Sequence, residues 1–169
     1  MTLDVRQVVP ADAASIREVA RESWHATYDE VLDRETIAKT VDDWYAVDDL
    51  ERSIVEARER ADATFLVADD ADEGVVGFAH AKPWQDDPAV AYLIRIYVRP
   101  DLWDEGIGHR LLERLEADLE SAFDRLRLVV LADNDVGVSF YEATGFERVE
   151  TRESGLDEGL EEYVYEKLL

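Results

Sequence analysis

Two glycines one residue apart, Gly106 and Gly108, lie between a strand-like segment and a helix-like segment in RIYVRPDLWDEGIGHRLLERL, residues 95–115. The first amides of a helix have no acceptor within the helix and carry the positive end of its dipole, so a glycine turn there can bind a phosphate. Asp104 and Glu105 directly precede the glycines. Because the donors are main-chain N–H groups, we expect these acidic side chains to face solvent without opposing the phosphate.

Other glycine-turn sites do not fit this sequence. A dinucleotide-binding turn requires a third glycine where this chain has Leu111, and a nucleotide P-loop requires Gly-Lys-Ser/Thr, which is absent. A second group of residues lies downstream in ADNDVGVSFYEATGFERV, residues 132–149. It contains Asn134, Tyr141, Gly145 and Phe146.

Together the two segments resemble the GNAT superfamily of acyl-CoA-dependent N-acetyltransferases. The phosphate motif of that family is Arg/Gln-x-x-Gly-x-Gly/Ala after the fourth strand, often preceded by Val-x-Pro, here Val98-Arg99-Pro100. Its second signature has an Asn before a helix that ends in Phe-Tyr-x-x-x-Gly-Phe. This chain departs from the pattern in having Trp103 in place of Arg or Gln, and Glu105 where a basic residue is frequent.

The resemblance implies direct attack of an amine on acetyl-CoA in a ternary complex, and it assigns roles to particular residues. Tyr141 matches the general acid, and Asn134 would bond the cofactor arm. Core packing for Tyr141 and helix capping for Asn134 are the alternatives. The remaining cofactor-binding residues implied, through their main chain, are Ile96, Val98, Trp103, Asp104, Glu105, Gly106, Ile107 and Gly108. Core packing is also the alternative for the side chains of Ile96 and Val98.

The general base and the acceptor pocket are less defined. Family members often carry a Glu on the fourth strand where this chain has Tyr92, so a water chain, His80 or His25 are the candidate bases. By the same resemblance, Trp24, His25, Tyr28 and Tyr92 would contact the acceptor, an amine-bearing small molecule or protein. SWHATY, residues 23–28, is equally compatible with an aromatic cluster of the core. A non-catalytic acyl-CoA-binding module is the alternative function.

The hydrophobic pattern predicts the elements that position these residues. The predicted order is a strand, three helices, three strands, a helix, a strand, a helix and two strands. AVAYLIRIYV, residues 89–98, is almost continuously apolar and should be a central strand. We therefore predict an α/β (α+β) fold in one domain over residues 1–169: a mixed, mostly antiparallel sheet of about seven strands flanked by helices. The resemblance adds a splay between strands 4 and 5.

The charge balance restricts the partners. The chain has 41 acidic and 18 basic residues, a net charge of −23, so duplex nucleic acid is not expected to bind. Only three of the basic residues are lysines, and this composition resembles that of proteins from salt-loving organisms; an acidic mesophilic protein is the alternative. No apolar run is long enough for a membrane span, and no targeting peptide is expected, which predicts a cytoplasmic protein. Scattered histidines and the absence of cysteine argue against a metal site. Dimers are common in the family, so a homodimer is compatible with the resemblance.

Overall fold

The computed structural model describes residues 2–155 and 159–169. These residues form a seven-stranded sheet and five α-helices. The strands are β1 (Leu3–Gln7), β2 (Thr64–Asp70), β3 (Gly74–Pro83), β4 (Val90–Val98), β5 (Arg125–Leu131), β6 (Glu147–Glu153) and β7 (Glu161–Leu168). The helices are α1 (Ala13–Tyr28), α2 (Arg34–Trp44), α3 (Val47–Glu59), α4 (Ile107–Leu119) and α5 (Asp135–Ala143), with short 3-10 turns at Pro10–Asp12 and Pro100–Leu102.

The strand order across the sheet is β1-β2-β3-β4-β5-β7-β6. All neighbouring strands are antiparallel except β4 and β5, which are parallel. The predicted fold class is thereby confirmed, and β4 occupies the centre of the sheet. A crossover containing α4 joins β4 to β5, as a parallel pair requires.

Each face of the sheet has its own core. On one face, α4 buries the apolar stripe predicted from helical spacing, including Leu111 and Leu115, together with Phe146 and Tyr165. On the other face, α1, α2 and α3 cover a second cluster that includes Ile16 and Phe78. We call these the α4 core and the α1 core. No helix among the described residues is long and apolar enough to cross a membrane.

The two central strands separate along their length. β4 and β5 pair only at Val90↔Arg125, Ala91↔Leu126 and Tyr92↔Arg127. Beyond Tyr92, β4 remains paired with β3 while β5 continues with β7. A β-bulge accompanies the separation, because the β3 partners step from Ala81↔Leu93 to His80↔Arg95 and leave Ile94 unpaired. The gap that opens here is the splay that the resemblance implied.

Candidate active site

A cleft of about 1160 Å³ occupies the gap between β4 and β5. Its walls come from β4, β5, α5, the start of α4 and the helices of the α1 core. Of the predicted site residues, only His25 and Glu105 are missing from its lining. Those that line it are Trp24, Tyr28, Tyr92, Ile96, Val98, Trp103, Asp104, Gly106, Ile107, Gly108, Asn134 and Tyr141. The structure thus brings residues from both sequence motifs to one cavity.

The glycine turn forms a cradle of main-chain donors at one end of the cleft. Gly106 is the N-cap of α4 with φ 82°, a left-handed conformation that favours glycine. The first intrahelical bond of this turn runs from the Arg110 amide to the Gly106 carbonyl at 3.2 Å, so the amides of Ile107 and Gly108 have no partner within the helix. The side chains of Asp104 and Glu105 are exposed, as expected.

Gly108 is required for a different reason. A Cβ added there would lie 3.0 Å from Cε1 of Phe140, so the missing side chain lets α5 approach the first turn of α4. An added Cβ at Gly106, in contrast, would have no heavy atom within 4 Å, and there only the positive φ opposes a side chain. Gly106 therefore allows the left-handed backbone conformation of the turn, and Gly108 allows α4 and α5 to pack closely.

The edge of β4 presents amides to the gap. The Arg99 amide donates to Val76 of β3 at 2.9 Å, so alternation along the strand directs the Ile96 and Val98 amides away from β3. The Val98 carbonyl accepts hydrogen bonds from Trp103 Nε1 at 2.9 Å and Ser23 Oγ at 3.0 Å. The indole N–H of Trp103 therefore connects the glycine turn to the end of β4 by a hydrogen bond. The side chains of Ile96 and Val98 pack in the α4 core, so core packing and amide exposure occur together.

Asn134 joins two walls of the cleft. Its Oδ1 accepts from the Gly137 amide at 2.8 Å, which makes it the N-cap of α5. Its Nδ2 donates to the hydroxyl oxygen of Tyr28 at 3.0 Å. The capping alternative is thus realised in this structure, and Asn134 is buried beside the cleft.

Tyr141 lies on α5 with its half-buried ring against Phe146, at 5.6 Å between ring centroids. Its hydroxyl makes no hydrogen bond to any part of the chain that the structure describes. Burial, and after it the nearby Tyr28 and Tyr45, raise the pKa of Tyr141, so it keeps its proton at neutral pH. A neutral, unpaired hydroxyl on the cleft wall is a suitable proton donor.

The end of α5 holds this tyrosine in place. The Phe146 amide donates to the Tyr141 carbonyl at 3.1 Å and the Gly145 amide to the Glu142 carbonyl at 3.4 Å. With Gly145 at φ 96°, these bonds form a Schellman motif. The predicted helix stop at Gly145 is confirmed.

Aromatic side chains from the α1 core line the other wall. The rings of Trp24 and Tyr28 are 4.6 Å apart, and Trp44 lies 5.5 Å from Trp24. Trp24 and Tyr28 are almost fully buried, so SWHATY does contribute to an aromatic cluster of the core, and the same two residues also line the cleft. His25 instead contacts Asp29, with 3.0 Å between Nδ1 and Oδ1.

His80 is poorly suited to act as the base. It is buried, stacks on Phe65 at 4.2 Å and lies with Nδ1 3.2 Å from Nη2 of Arg95. Because a guanidinium only donates, Nδ1 is the acceptor and Nε2 carries the proton of the neutral ring. Burial, and after it the charge of Arg95, lower the pKa of His80 well below its ordinary value. His80 therefore has no free basic nitrogen at neutral pH.

Arg95, Tyr97 and Glu162 are among the cleft residues that were not predicted. Arg95 is the one charged residue in the apolar run 89–98, and that contrast is a signal from which a buried cation could have been predicted. Glu162 lies on β7, where its carboxylate accepts from Arg152 Nε at 2.7 Å. Burial and the charge of Glu162 raise the pKa of Tyr92, which places the two groups near each other. No local pattern indicated Glu162, because the fold brings it to the cleft from a distant strand.

The described residues contain no group of three or more His, Asp or Glu side chains arranged to hold a metal ion. The groups of the cleft that could take part in chemistry include main-chain donors, Tyr141, Glu162 and the aromatic wall.

Comparison with known proteins gives consistent matches. The model of the acetyltransferase (GNAT) family matches residues 15–146. A spermidine N(1)-acetyltransferase from Thermoplasma acidophilum is 32% identical over 152 residues, which cover 89% of this chain and 92% of that protein. The crystal structure of PaiA N-acetyltransferase from the same organism, in complex with coenzyme A, superimposes with a TM-score of 0.86 at 30% identity and covers all of both chains. A ribosomal-protein-alanine N-acetyltransferase from Brucella melitensis shares the fold, with a TM-score of 0.75 at 22% identity over 98% of this chain and 99% of that one.

Proposed function

This chain belongs to the acetyltransferase (GNAT) family, and we propose that its cleft brings acetyl-CoA and a primary amine together with Tyr141 as proton donor. The chain is an N-acetyltransferase that transfers an acetyl group from acetyl-CoA to an amine. The observation that carries the assignment of Tyr141 is the presence of its unpaired hydroxyl in the same cleft as the amide cradle of α4.

The residues of the cleft fit the cofactor. When bound, acetyl-CoA supplies an acyl group activated as a thioester. The amides of Ile107 and Gly108 at the start of α4 would hold its pyrophosphate, because they are unpaired within the helix and lie at the positive end of the dipole. The amides of Ile96 and Val98 would hold the acyl and pantetheine groups along the open edge of β4. The remaining turn residues, Trp103 to Gly106, shape the cradle.

Two proton transfers are needed. Tyr141 would donate its proton to the departing sulfur, since burial keeps the hydroxyl neutral at physiological pH. The attacking ammonium must also lose a proton. Among the described residues that line the cleft, the only carboxylates are Asp104, in the cradle, and Glu162, near Tyr92. We assign proton removal to Glu162, acting through a water in the open cleft.

The charge balance supports a salt-adapted protein. With 41 acidic and only 18 basic residues, the surface repels itself in dilute buffer, and concentrated salt screens that repulsion. We propose that the enzyme works in a cytoplasm of high ionic strength.

Release of CoA thiol with a panel of primary amines in molar KCl tests the function. Wild-type protein should release CoA with at least one amine, and Glu162→Gln should release it more slowly. Because the substitution retains size, an unchanged rate at each pH would exclude Glu162 as the proton acceptor.

A further inference from the structure

A row of side chains crosses three strands beneath the end of α2. Phe65 on β2 pairs with His80 on β3, and His80 pairs with Arg95 on β4. The guanidinium carbon of Arg95 lies 5.3 Å from the ring centroid of Tyr45 and 5.4 Å from that of Phe65. Arg95 is therefore held between two aromatic rings in the cleft wall, where it is largely removed from water.

Arg95 has few polar partners. Nη2 contacts His80 Nδ1 at 3.2 Å, Nη1 donates weakly to the Trp44 carbonyl at 3.4 Å, and Nε is buried with no partner. It makes no ion pair within residues 2–155 and 159–169. Arg34, Arg58, Arg110 and Arg148 also make no ion pair within the described residues, but all four are exposed, whereas Arg95 is half-buried. Burial lowers the pKa of Arg95, and the nearby Tyr45 offsets part of that effect.

A second cation lies beside it. Lys82 on β3 is exposed and pairs in register with Tyr92, on the same face of the sheet as His80 and Arg95. Both Lys82 and Arg95 line the cleft. We call this part of the cleft the basic side pocket, lined by Trp44, Ser53, His80, Lys82 and Arg95. None of these five residues is acidic, and Glu162, the carboxylate of the same cleft that lies near Tyr92, accepts a hydrogen bond from Arg152.

We propose that the basic side pocket binds a carboxylate of the acceptor, so that the substrate is an amine that also carries a carboxylate, as an amino acid does. This inference rests on the proposed function, because it places the acceptor in the same cleft. An incoming carboxylate would supply the anionic partner that Arg95 lacks, and a planar guanidinium suits that group. Spermidine, the substrate in the name of the relative from Thermoplasma acidophilum, carries no carboxylate. The acceptors of the two proteins would then differ.

A purely structural role for Arg95, in which its hydrogen bond to the Trp44 carbonyl connects the sheet to α2, makes a different prediction. Such a tie would affect folding and all substrates alike, whereas a carboxylate site affects the ratio between matched substrates. The test therefore compares kcat/KM for two pairs that differ only by a carboxylate, lysine with cadaverine and phenylalanine with phenethylamine. In molar KCl, wild-type protein should prefer the carboxylate-bearing member of at least one pair by about tenfold or more.

Arg95→Gln should reduce that preference by about 10- to 100-fold, mainly through KM for the carboxylate-bearing member. Lys82→Gln, at an exposed position, should reduce it by a smaller factor. Arg148→Gln is the matched control, because Arg148 also lies over a ring, 4.3 Å from the centroid of Tyr163, but does not line the cleft. It should retain the wild-type preference.

A measurement on wild-type protein avoids dependence on the folding of the Arg95 variant. 3-Phenylpropionate, which has the carboxylate but no amine, should inhibit competitively with the amine, whereas 3-phenylpropanol should inhibit much less. Turnover of amines without any carboxylate preference, or equal inhibition by the acid and the alcohol, would overturn this inference alone. Absence of CoA release with every amine would instead refute the proposed function and the inference with it.

Discussion

Asn134 Nδ2 donates a hydrogen bond to the hydroxyl oxygen of Tyr28 over 3.0 Å. Asn134 caps α5, the helix that carries Tyr141, and Tyr28 is the last residue of α1. One buried side chain therefore joins the proposed acid to the aromatic wall of the cleft. The contact connects two walls of the cleft through residues that are 106 positions apart in sequence.

Replacement of Asn134 by Ala and by Ser separates its two contacts. Both variants lose the bond to Tyr28, whereas Ser can still cap α5, so Ser should be more stable than Ala by about 1 kcal/mol. Both should lower kcat. Urea denaturation and steady-state kinetics in high salt measure the two effects. Tyr28→Phe removes the same bond from the other side, so it should add little to Asn134→Ser; fully additive losses would show that the contact does not couple these residues.

The cradle should depend on backbone conformation more than on the charge beside it. Gly106→Ala forces a Cβ onto a residue with φ 82° and should weaken acetyl-CoA binding by about tenfold. Glu105→Gln changes an exposed side chain outside the cleft lining and should alter affinity by less than about twofold. Calorimetric titration measures the affinities. A larger loss with Glu105→Gln than with Gly106→Ala would contradict the backbone account.

Gly108→Val is also expected to reduce affinity, and the structure identifies the cause. Its Cβ would meet the Phe140 ring at 3.0 Å and displace α5 from α4. Phe140→Leu in the same chain makes space for the valine, so it should recover part of the lost thermal stability. If the double variant is no more stable than Gly108→Val alone, the contact with Phe140 is not the cause.

Sequence reasoning succeeded where a feature depends on neighbouring residues. The helix stop at Gly145 and the glycine turn before α4 follow from local conformational preference, and the apolar run of β4 follows from burial on both faces. The bulge at Ile94 was not predictable in this way, because register depends on which residues of β3 and β5 are paired. Arg95 was not predicted as a site residue, because its row with His80 and Phe65 arises only when three strands assemble.

Salt should stabilise the protein. The net charge of −23 produces self-repulsion that molar KCl screens, since the Debye length falls to about 3 Å at 1 M. The thermal unfolding midpoint is expected to rise along a KCl series, and activity with it. A midpoint that stays constant or falls as KCl increases would refute the proposed salt adaptation.

His80 should make stability depend on pH below neutrality. Its pKa in the folded protein is well below 6.5, so the unfolded chain binds a proton first as pH falls. Folded stability should therefore decline as pH decreases through 6.5, with a slope that approaches about 1.4 kcal/mol per pH unit. Urea denaturation between about pH 7.5 and 5.5 stays above the usual carboxylate range. His80→Gln should flatten the slope and His109→Gln, at an exposed position, should retain it; equal slopes in all three proteins would contradict the assignment.

Tyr141→Phe tests the catalytic account most directly. The substitution keeps the ring and its packing against Phe146 but removes the hydroxyl that we assign as proton donor. Tyr163→Phe is the matched control, since Tyr163 lies on β7 and does not line the cleft. Steady-state kinetics in molar KCl, with folding checked by circular dichroism, should give kcat about 100-fold below wild type for Tyr141→Phe, with acetyl-CoA affinity little changed. A kcat within about twofold of wild type would exclude Tyr141 as the general acid.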